Sequence, residues 1–257
     1  MSNKTLNTEQ GHWLLAKMGK RVLRPGGKEL TLRLVNELKI NHKDKLVEFA
    51  PGMGFTAELL LNKNPKSYTG IELNEEAVDI LKKKIFLNGY SVVNRSAADT
   101  GLESSSIDKV IGEAMLTMQA DHRKSEIIRE AYRILKPGGW YGIHELGLIP
   151  ENIEDGAKAE IQQELAKSIK VNARPLTIKE WCNLLEKEGF KIKTIDQNPM
   201  ELLKAKRMIA DEGLLRTLKI GFNIMVNPKA KKKIMDMRNI FNKYENHLTA
   251  FAIIAEK

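Results

Sequence analysis

The chain has 257 residues, 42% of them hydrophobic and 29% charged, and its formal net charge is +9 at pH 7. These values are typical of a globular protein with a full core, and no apolar run approaches the roughly 20 residues of a membrane span. The lone Cys182 excludes an internal disulfide and a zinc site made of several cysteines, so we expect no metal. Residues 1–5 lack the apolar segment of a secretory signal, which predicts a protein of the reducing cytoplasm.

The positive charge permits attraction to nucleic acid or to anionic lipid. The lysines are dispersed and often lie beside glutamates, which favours solvated helix faces as their role. We therefore expect a small-molecule partner, with nucleic acid disfavoured but kept as an alternative.

Residues 1–45 have a helical pattern that is broken once. Residues 8–18 form a short amphipathic stretch, and Arg-Pro-Gly-Gly at residues 24–27 interrupts it. Leucines at helical spacing between residues 30 and 38 predict a second helix. The N–H of Gly27 at its start offers a place for a carboxylate, although a simple helix-breaking turn explains the same residues equally well.

Residues 46–55 place an acidic residue in an apolar strand and follow the strand with a turn of small residues. After Glu48, the small residues Ala50, Gly52 and Gly54 alternate. Small residues let the backbone approach a ligand, and glycine tolerates the positive φ of a tight turn. The pattern predicts the first strand, loop and helix of a nucleotide-binding α/β domain, with a plain strand-to-helix turn as the alternative. The dinucleotide fingerprint G-x-G-x-x-G is absent, which argues against NAD.

A second carboxylate stands near the end of the next predicted strand, residues 67–73. Glu72, with Leu73 beside it, follows the glycines by about twenty residues, where α/β nucleotide sites place an acidic residue on ribose hydroxyls. A helix-start role for Glu72 is less favoured, because a charge at the tip of a buried strand needs a partner. Asn74 is predicted to cap the following helix and Gly89 to end it.

The glycine turn and Glu72 together resemble motif I and the ribose-binding acid of the class I S-adenosylmethionine (SAM) dependent methyltransferases. In that motif glycines alternate after an acidic residue, and here Ala50 replaces the first of them. The resemblance implies SAM as cofactor, held by Glu48, Ala50, Gly52, Gly54, Glu72 and Leu73.

The third predicted strand, residues 92–99, ends in another acidic residue. The resemblance implies that Asp99 contacts the adenine amino group and that Ala98 donates its backbone N–H to the ring. Capping of the following turn is the alternative role of Asp99.

The residues at the carboxyl end of the fourth predicted strand, residues 107–115, help to distinguish between branches of this family. Methyltransferases of base amines or glutamine amides carry Asn/Asp-Pro-Pro-aromatic here, whereas this chain carries Gly-Glu-Ala-Met at 112–115. The resemblance places Glu113 and Met115 beside the sulfonium end of SAM, where Glu113 could neutralise the amino group of SAM or a cationic substrate.

The Leu-Lys-Pro-Gly-Gly turn at residues 135–139 precedes the fifth predicted strand, residues 140–146. His144 and Glu145 fall at its carboxyl end, the edge where ligands bind in open α/β sheets. His144 is a candidate general base because histidine titrates near neutral pH, and a structural histidine is an equally good interpretation. Glu113 and His12, the latter in a predicted lid over the SAM pocket, are the other candidates.

The C-terminal part predicts a capped helix at residues 177–185 and strands at 190–195 and 248–255. Residues 198–245 lie between these strands and read as two helices divided near Asn227 and Pro228. For the methionines of this insert, a place in the ordinary core is favoured over an adaptable surface that binds substrate. For its lysines, a solvated helix face is favoured over the binding of an acidic substrate or of membrane headgroups. The methionines are Met200, Met208, Met225, Met235 and Met237, and the lysines are Lys229, Lys231, Lys232 and Lys233.

The resemblance implies a Rossmann-like, doubly wound α/β sheet of seven strands, mostly parallel with an antiparallel last strand. We expect one domain over residues 1–257, in which residues 46–146 bind SAM and residues 1–45, 147–176 and 198–245 add helical lids. The predicted reaction is in-line transfer of the SAM methyl group to a small molecule. An RNA methyltransferase, motivated by the basic charge, and a SAM-binding module without catalysis are the alternatives.

Overall fold

The computed structural model describes residues 7–85 and 90–257. In this part the chain forms one seven-stranded sheet with helices packed on both faces. The strands are β1 Lys45–Phe49, β2 Ser67–Glu72, β3 Tyr90–Asn94, β4 Ile107–Glu113, β5 Leu135–Leu148, β6 Lys191–Pro199 and β7 Leu248–Glu256. The helices are α1 Gly11–Lys17, α2 Gly27–Glu37, α3 Phe55–Leu61, α4 Glu75–Lys84, α5 Asp121–Ile134, α6 Asp155–Ile169, α7 Ile178–Lys187, α8 Ala205–Glu212, α9 Leu214–Met225 and α10 Pro228–Lys243.

The strand order is β3-β2-β1-β4-β5-β7-β6. Strands β1 to β5 run parallel, and β7 is antiparallel to both of its neighbours, β5 and β6. The predicted doubly wound sheet with an antiparallel last strand is therefore confirmed. The chain reverses its direction of winding between β1 and β4, and in such sheets the carboxyl ends of the two strands at this point border the ligand site.

The central strands read as nearly continuous apolar runs because helices cover both faces of the sheet. In β1, Leu46 points to one hydrophobic cluster and Phe49 to the other. The first cluster includes Leu30 of α2 and Leu81 of α4, and the second includes Trp181 of α7. The side chains of all five residues are buried, so β1 lies in the centre of the core.

The N-terminal helix and the late insert pack on each other. Leu15 and Met18, from α1 and its C-terminal cap, share an apolar cluster with Ile220 of α9 and with Ile234 and Met237 of α10. The two segments predicted as lids therefore form one layer beside the sheet.

Two predicted helix starts are confirmed by their caps. The Asn74 side chain accepts a hydrogen bond from the backbone N–H of Ala77 at 2.9 Å. Thr177 and Glu180 form a reciprocal capping box at the start of α7. The predicted end of α4 at Gly89 lies outside the described residues.

Several predicted boundaries are wrong. Strand β5 begins at Leu135, which pairs with Ile107 of β4, so the predicted turn at residues 135–139 lies within the strand. Strand β6 runs to Pro199 rather than to residue 195.

Strand β3 ends at Asn94 rather than at Asp99, because the backbone turns back on itself and the Asp99 N–H donates to the Ser96 carbonyl at 3.0 Å. The insert contains three helices rather than two, since Gly213, with φ of +79°, separates α8 from α9. None of the described helices combines the length and the apolar composition needed to cross a bilayer.

Candidate active site

A cavity of about 390 Å³ lies at the carboxyl ends of β1, β2, β3 and β4. The loops that follow these strands form one wall, and residues around α1 form the other. Its volume falls in the range of about 300–1,000 Å³ that is common for small-ligand sites. Among the residues expected to bind the cofactor, those that line it are Ala50, Gly52, Glu72, Leu73, Glu113 and Met115.

Glu72 presents a buried carboxylate to this cavity. Its Oε2 accepts the N–H of Gly52 at 3.0 Å, and its Oε1 accepts the N–H of Asn74 at 2.9 Å. Burial raises the pKa of Glu72, while these backbone hydrogen bonds act in the opposite direction. Leu73 donates a third backbone hydrogen bond to this carboxylate, so about one of its roughly four acceptor positions stays open for a ligand hydroxyl.

The turn after β1 has the backbone conformation that its small residues suggested. Ala50 and Gly52 have φ values of +51° and +55°, and Ala50 remains tied to the neighbouring strand by its N–H bond to Ile71 at 2.8 Å. A side chain on Gly52 would meet open space, which lets a ligand approach its backbone. Gly54 does not line the cavity, because its Cα faces α4 and a Cβ there would lie 2.7 Å from Leu81.

Glu48 does not line the cavity either. Its carboxyl lies inside the core, where it accepts a hydrogen bond from the Tyr68 hydroxyl at 2.6 Å. Burial raises the pKa of Glu48 to about 8. The expected ligand contact is replaced by a contact with Tyr68 because side chain alternation places Glu48 on the same buried face of the sheet as Leu46 and Tyr68.

The residues expected at the adenine end are displaced by the early end of β3. Asp99 is exposed and Ala98 lies in the turn, and neither lines the cavity. Ser96 and Ala97 line it instead, and Ser96 accepts a hydrogen bond from Arg123 at 2.9 Å. The position of the turn after β3 decides which of these residues reach the cavity, and strand periodicity does not reveal that position.

Glu113 lines the cavity at the end of β4, but its carboxylate is fully engaged by the protein. Oε2 accepts hydrogen bonds from Arg24 at 2.9 Å and from Thr56, and Oε1 accepts from Thr31 at 2.7 Å and contacts His144 Nδ1 at 2.8 Å. Burial acts to raise the pKa of Glu113, but the Arg24 charge and the His144 contact outweigh it and hold the pKa at about 2. These four partners fill its acceptor positions, so the expected neutralisation of a ligand cation by Glu113 is replaced by neutralisation of Arg24.

His144 is not placed to act as a general base. It is fully buried, its Nδ1 faces Glu113, and its Nε2 faces the carbonyl of Pro25. Neither ring nitrogen reaches the cavity, which corrects the expectation that His144 contacts the substrate. Its neighbour Glu145 is also structural, since its two oxygens accept the backbone N–H groups of residues 115–117 at 2.8–3.0 Å.

Gly27 does not bind a ligand carboxylate, because the protein supplies one of its own. Asp211 of α8 accepts the N–H of Lys28 at 2.8 Å, and a Cβ on Gly27 would lie 2.6 Å from the same carboxylate. The expected chemistry at the start of α2 is thus present, but the insert provides the carboxylate. The sequence separation between Gly27 and Asp211 hides this contact from local patterns.

His12 lies where the cavity meets a second, smaller one of about 100 Å³. Burial lowers the pKa of His12 to about 4, and its ring lies 4.8 Å from that of Trp13. The second cavity is almost entirely apolar. Its lining includes Leu15, Leu146, Met200, Leu202, Met237 and Phe241.

Arg24 is a site residue that the sequence patterns did not single out. It lines the cavity, its guanidinium carbon lies 5.0 Å from the ring centre of Phe55, and it carries the charge that Glu113 balances. Its position directly before the Pro25-Gly26 break was the available signal, but that break was interpreted as a helix-breaking turn or as a carboxylate site at the Gly27 N–H, without a role for Arg24.

The comparisons agree with this architecture. The model of a methyltransferase domain family matches residues 47–143. An uncharacterised protein of Haemophilus influenzae is 34% identical over 253 residues, which cover 97% of this chain and 98% of the relative.

Two solved structures show the same fold. The cyclase SpnF covers 100% of this chain and 99% of its own, with a TM-score of 0.72 and 16% identity. Phosphoethanolamine N-methyltransferase 2 of Haemonchus contortus, in complex with phosphomonomethylethanolamine and S-adenosylhomocysteine, covers 98% of this chain and 59% of its own, with a TM-score of 0.73 and 16% identity.

The strand order and the cavity at the switch point define a Rossmann-like fold of the doubly wound type. The chain belongs to the methyltransferase domain family whose model it matches. The match to a methyltransferase domain identifies it as an enzyme.

Proposed function

We propose that this methyltransferase acts on a small molecule with an apolar body, which binds in the second cavity. The observation that carries the proposal is the shared wall of the two cavities. The residues that line both are His12, Leu23, Ala114, Met118 and Val171. An acceptor in the apolar cavity would therefore border the cofactor across a wall only one residue thick.

The residues of the larger cavity fit SAM. The remaining acceptor position of Glu72 suits a ribose hydroxyl, and the open backbone at Gly52 allows the close approach that the adenosyl group needs. Ser96 and Ala97 would border the adenine. Arg24 would hold the carboxylate of the methionine part, because it is the buried cation on this wall.

Bound SAM supplies a methyl carbon that its sulfonium charge already activates for in-line displacement. The protein's task is then placement, with the acceptor atom held about 3–3.5 Å from that carbon and water excluded. The apolar lining from α1, α10 and the segment before α8 suits both requirements. A strand of RNA instead needs a positively charged track open to solvent, which the apolar cavity does not offer.

His12 is the residue that we propose as proton acceptor for a hydroxyl or ammonium acceptor. It is the titratable residue among the described residues that line both cavities. With a pKa of about 4, its ring is neutral near pH 7, so its unprotonated nitrogen is available as a weak base.

Methyl-labelled SAM provides the test. The protein is incubated separately with an apolar metabolite extract, a polar extract and total RNA, and we expect label in the apolar products. Label in RNA alone would show an RNA methyltransferase. Tight binding of S-adenosylhomocysteine without any labelled product would show a SAM-binding module.

A variant of Glu72 ties this activity to the larger cavity. Glu72→Ala removes the proposed ribose contact and should weaken binding of S-adenosylhomocysteine by roughly tenfold or more in isothermal titration. Glu103→Ala, an exposed glutamate away from the cavity, is the matched control and should bind as the wild type does. Equal affinities of the two variants would reject the assignment of Glu72.

A further inference from the structure

Helix α9 exposes an apolar face that no described part of the chain covers. Its residues are 58–83% exposed, values that are unusual for large apolar side chains. They are Leu214, Leu215, Leu218, Phe222, Met225 and Val226.

These residues lie on one side of the helix. At 3.6 residues per turn they fall within an arc of about 120°, and Ile220, the buried residue of α9, lies on the opposite side. Ile220 packs in the apolar cluster that also contains Met237, so α9 is held firmly by one side only. The exposed face is therefore a built surface rather than a frayed end.

Positive charge surrounds this face. Residues 213–235 contain six basic side chains and no acidic one. Lys219 of α9 is exposed, as are Lys229, Lys231 and Lys232 in the first turn of α10, directly after the apolar Met225 and Val226. None of these four lysines forms an ion pair with a described acidic residue.

We propose that α9 and the first turn of α10 dock this protein on the surface of an anionic lipid bilayer. An apolar helix face bordered by lysines is the arrangement that binds in the interface between headgroups and acyl chains. At 12 residues α9 is about 18 Å long, too short to cross the roughly 30 Å of hydrocarbon, so it lies along the surface.

The same charges disfavour a second copy of the chain as the occupant of this face. A symmetric dimer would bring two identical lysine clusters together, and the exposed Asp236 beside them offers one negative charge against the four lysines of each copy. An anionic bilayer supplies both the apolar phase and the opposite charge.

Co-sedimentation with vesicles tests the proposal with the full chain. We expect binding to vesicles of equal parts phosphatidylcholine and phosphatidylglycerol, weaker binding to phosphatidylcholine alone, and loss of the difference in high salt. Replacing Leu215, Leu218 and Phe222 together by Ser should lower the partition coefficient by roughly tenfold or more. The control variant Leu32→Ser with Ile195→Ser alters exposed apolar residues of α2 and β6 and should bind as the wild type does.

A second pair of variants isolates the charge. Lys231→Glu with Lys232→Glu should lower binding to the anionic vesicles by more than about tenfold. Lys82→Glu with Lys83→Glu changes the net charge equally, at exposed positions of α4, and should have a much smaller effect. Unchanged binding of S-adenosylhomocysteine verifies that each variant is folded.

Two results would overturn the proposal. One is a wild-type protein that does not sediment with anionic vesicles, or test and control variants that bind alike. The other is a dimer, seen by sedimentation equilibrium without vesicle binding, that the Ser variant of α9 dissociates, since this would assign the face to a second copy of the chain. Neither depends on the methyl acceptor, so the proposed function is tested separately.

Discussion

Glu113 and His144 lie opposite each other on β4 and β5, with 2.8 Å between the Glu113 carboxylate and His144 Nδ1. Both were candidates for acid–base chemistry, and the structure instead makes them partners of each other. With Arg24 they form a buried hydrogen-bonded cluster, in which Arg24 and Glu113 line the cavity. Their contact fixes Arg24 at the end of the cavity where we place the carboxylate of the cofactor.

Replacing Glu113 by Gln should be strongly destabilising. The change leaves Arg24 buried without its counter-charge, a situation that typically costs about 3–5 kcal/mol. Urea denaturation at pH 7 measures the loss. As a control, Glu58→Gln breaks the exposed pair of Glu58 with Lys84 and should cost less than about 1 kcal/mol.

The Glu113 contribution should also depend on pH. Its pKa is about 2 in the folded protein and near 4.5 in the unfolded chain, so its stabilisation is present above about pH 4.5. As the pH falls from 4.5 toward 2, wild type should lose stability relative to Glu113→Gln. A difference between the two proteins that stays constant over this range would contradict the pairing.

Glu48→Gln should show the opposite trend. The folded protein holds a proton on Glu48 up to a pKa of about 8, whereas the unfolded chain releases it near 4.5. The stability of wild type relative to the variant is therefore complete below pH 4.5 and declines toward pH 8, with a slope on the order of 1.4 kcal/mol per pH unit. Thermal unfolding of both proteins between pH 5 and 8 measures this, and parallel profiles would refute the assignment.

His12→Gln should slow methyl transfer and leave cofactor binding unchanged. Loss of a proton acceptor typically lowers kcat by about 100-fold or more, whereas affinity for S-adenosylhomocysteine should stay within a factor of about two. Because the pKa of His12 is about 4, the wild-type rate should stay level down to about pH 5. His122→Gln, an exposed histidine of α5, is the control, and equal rates for the two variants would show that placement alone suffices.

Gly54→Ala should destabilise the fold through packing rather than through the cofactor. Gly54 has φ of +80°, and the added Cβ would lie 2.7 Å from Leu81, so we expect a loss of about 1–3 kcal/mol. Gly156→Ala is the matched change in α6, where a Cβ meets no atom within 4 Å, and it should stabilise by up to about 1 kcal/mol. A Gly54→Ala protein of normal stability that fails to bind S-adenosylhomocysteine would return this glycine to the cofactor site.

The sheet and one half of the cofactor site could be predicted because they depend on local patterns. Neighbouring residues suffice to predict the apolar strands, the turn of small residues after β1 and the acidic end of β2. Glu72 lines the cavity, as its spacing from the glycines indicated. The remaining site residues depend on contacts between distant segments. Asp211 reaches Lys28 from the insert, and His144 pairs with Glu113 across strands, so neither contact leaves a local pattern.

The end of β3 shows a different limit. Residues 95–99 have no periodicity that separates a strand from a turn, and a shift of a few residues exchanges Asp99 for Ser96 at the cavity. The prediction of two helices in the insert failed for a similar reason, because the break between α8 and α9 depends on one residue, Gly213.

The bond from Lys28 to Asp211 joins the insert to α2, and Thr31 of the same helix bonds Glu113 at the cofactor wall. The insert, which lines the apolar cavity, and Glu113, which lines the cofactor cavity, are thus both bonded to the first turn of α2. We therefore expect the two ligands to bind cooperatively, and thermodynamic reciprocity requires that each tighten the other by the same factor. Whichever ligand binds first then stabilises the segments that the other one needs, so the coupling requires no gate.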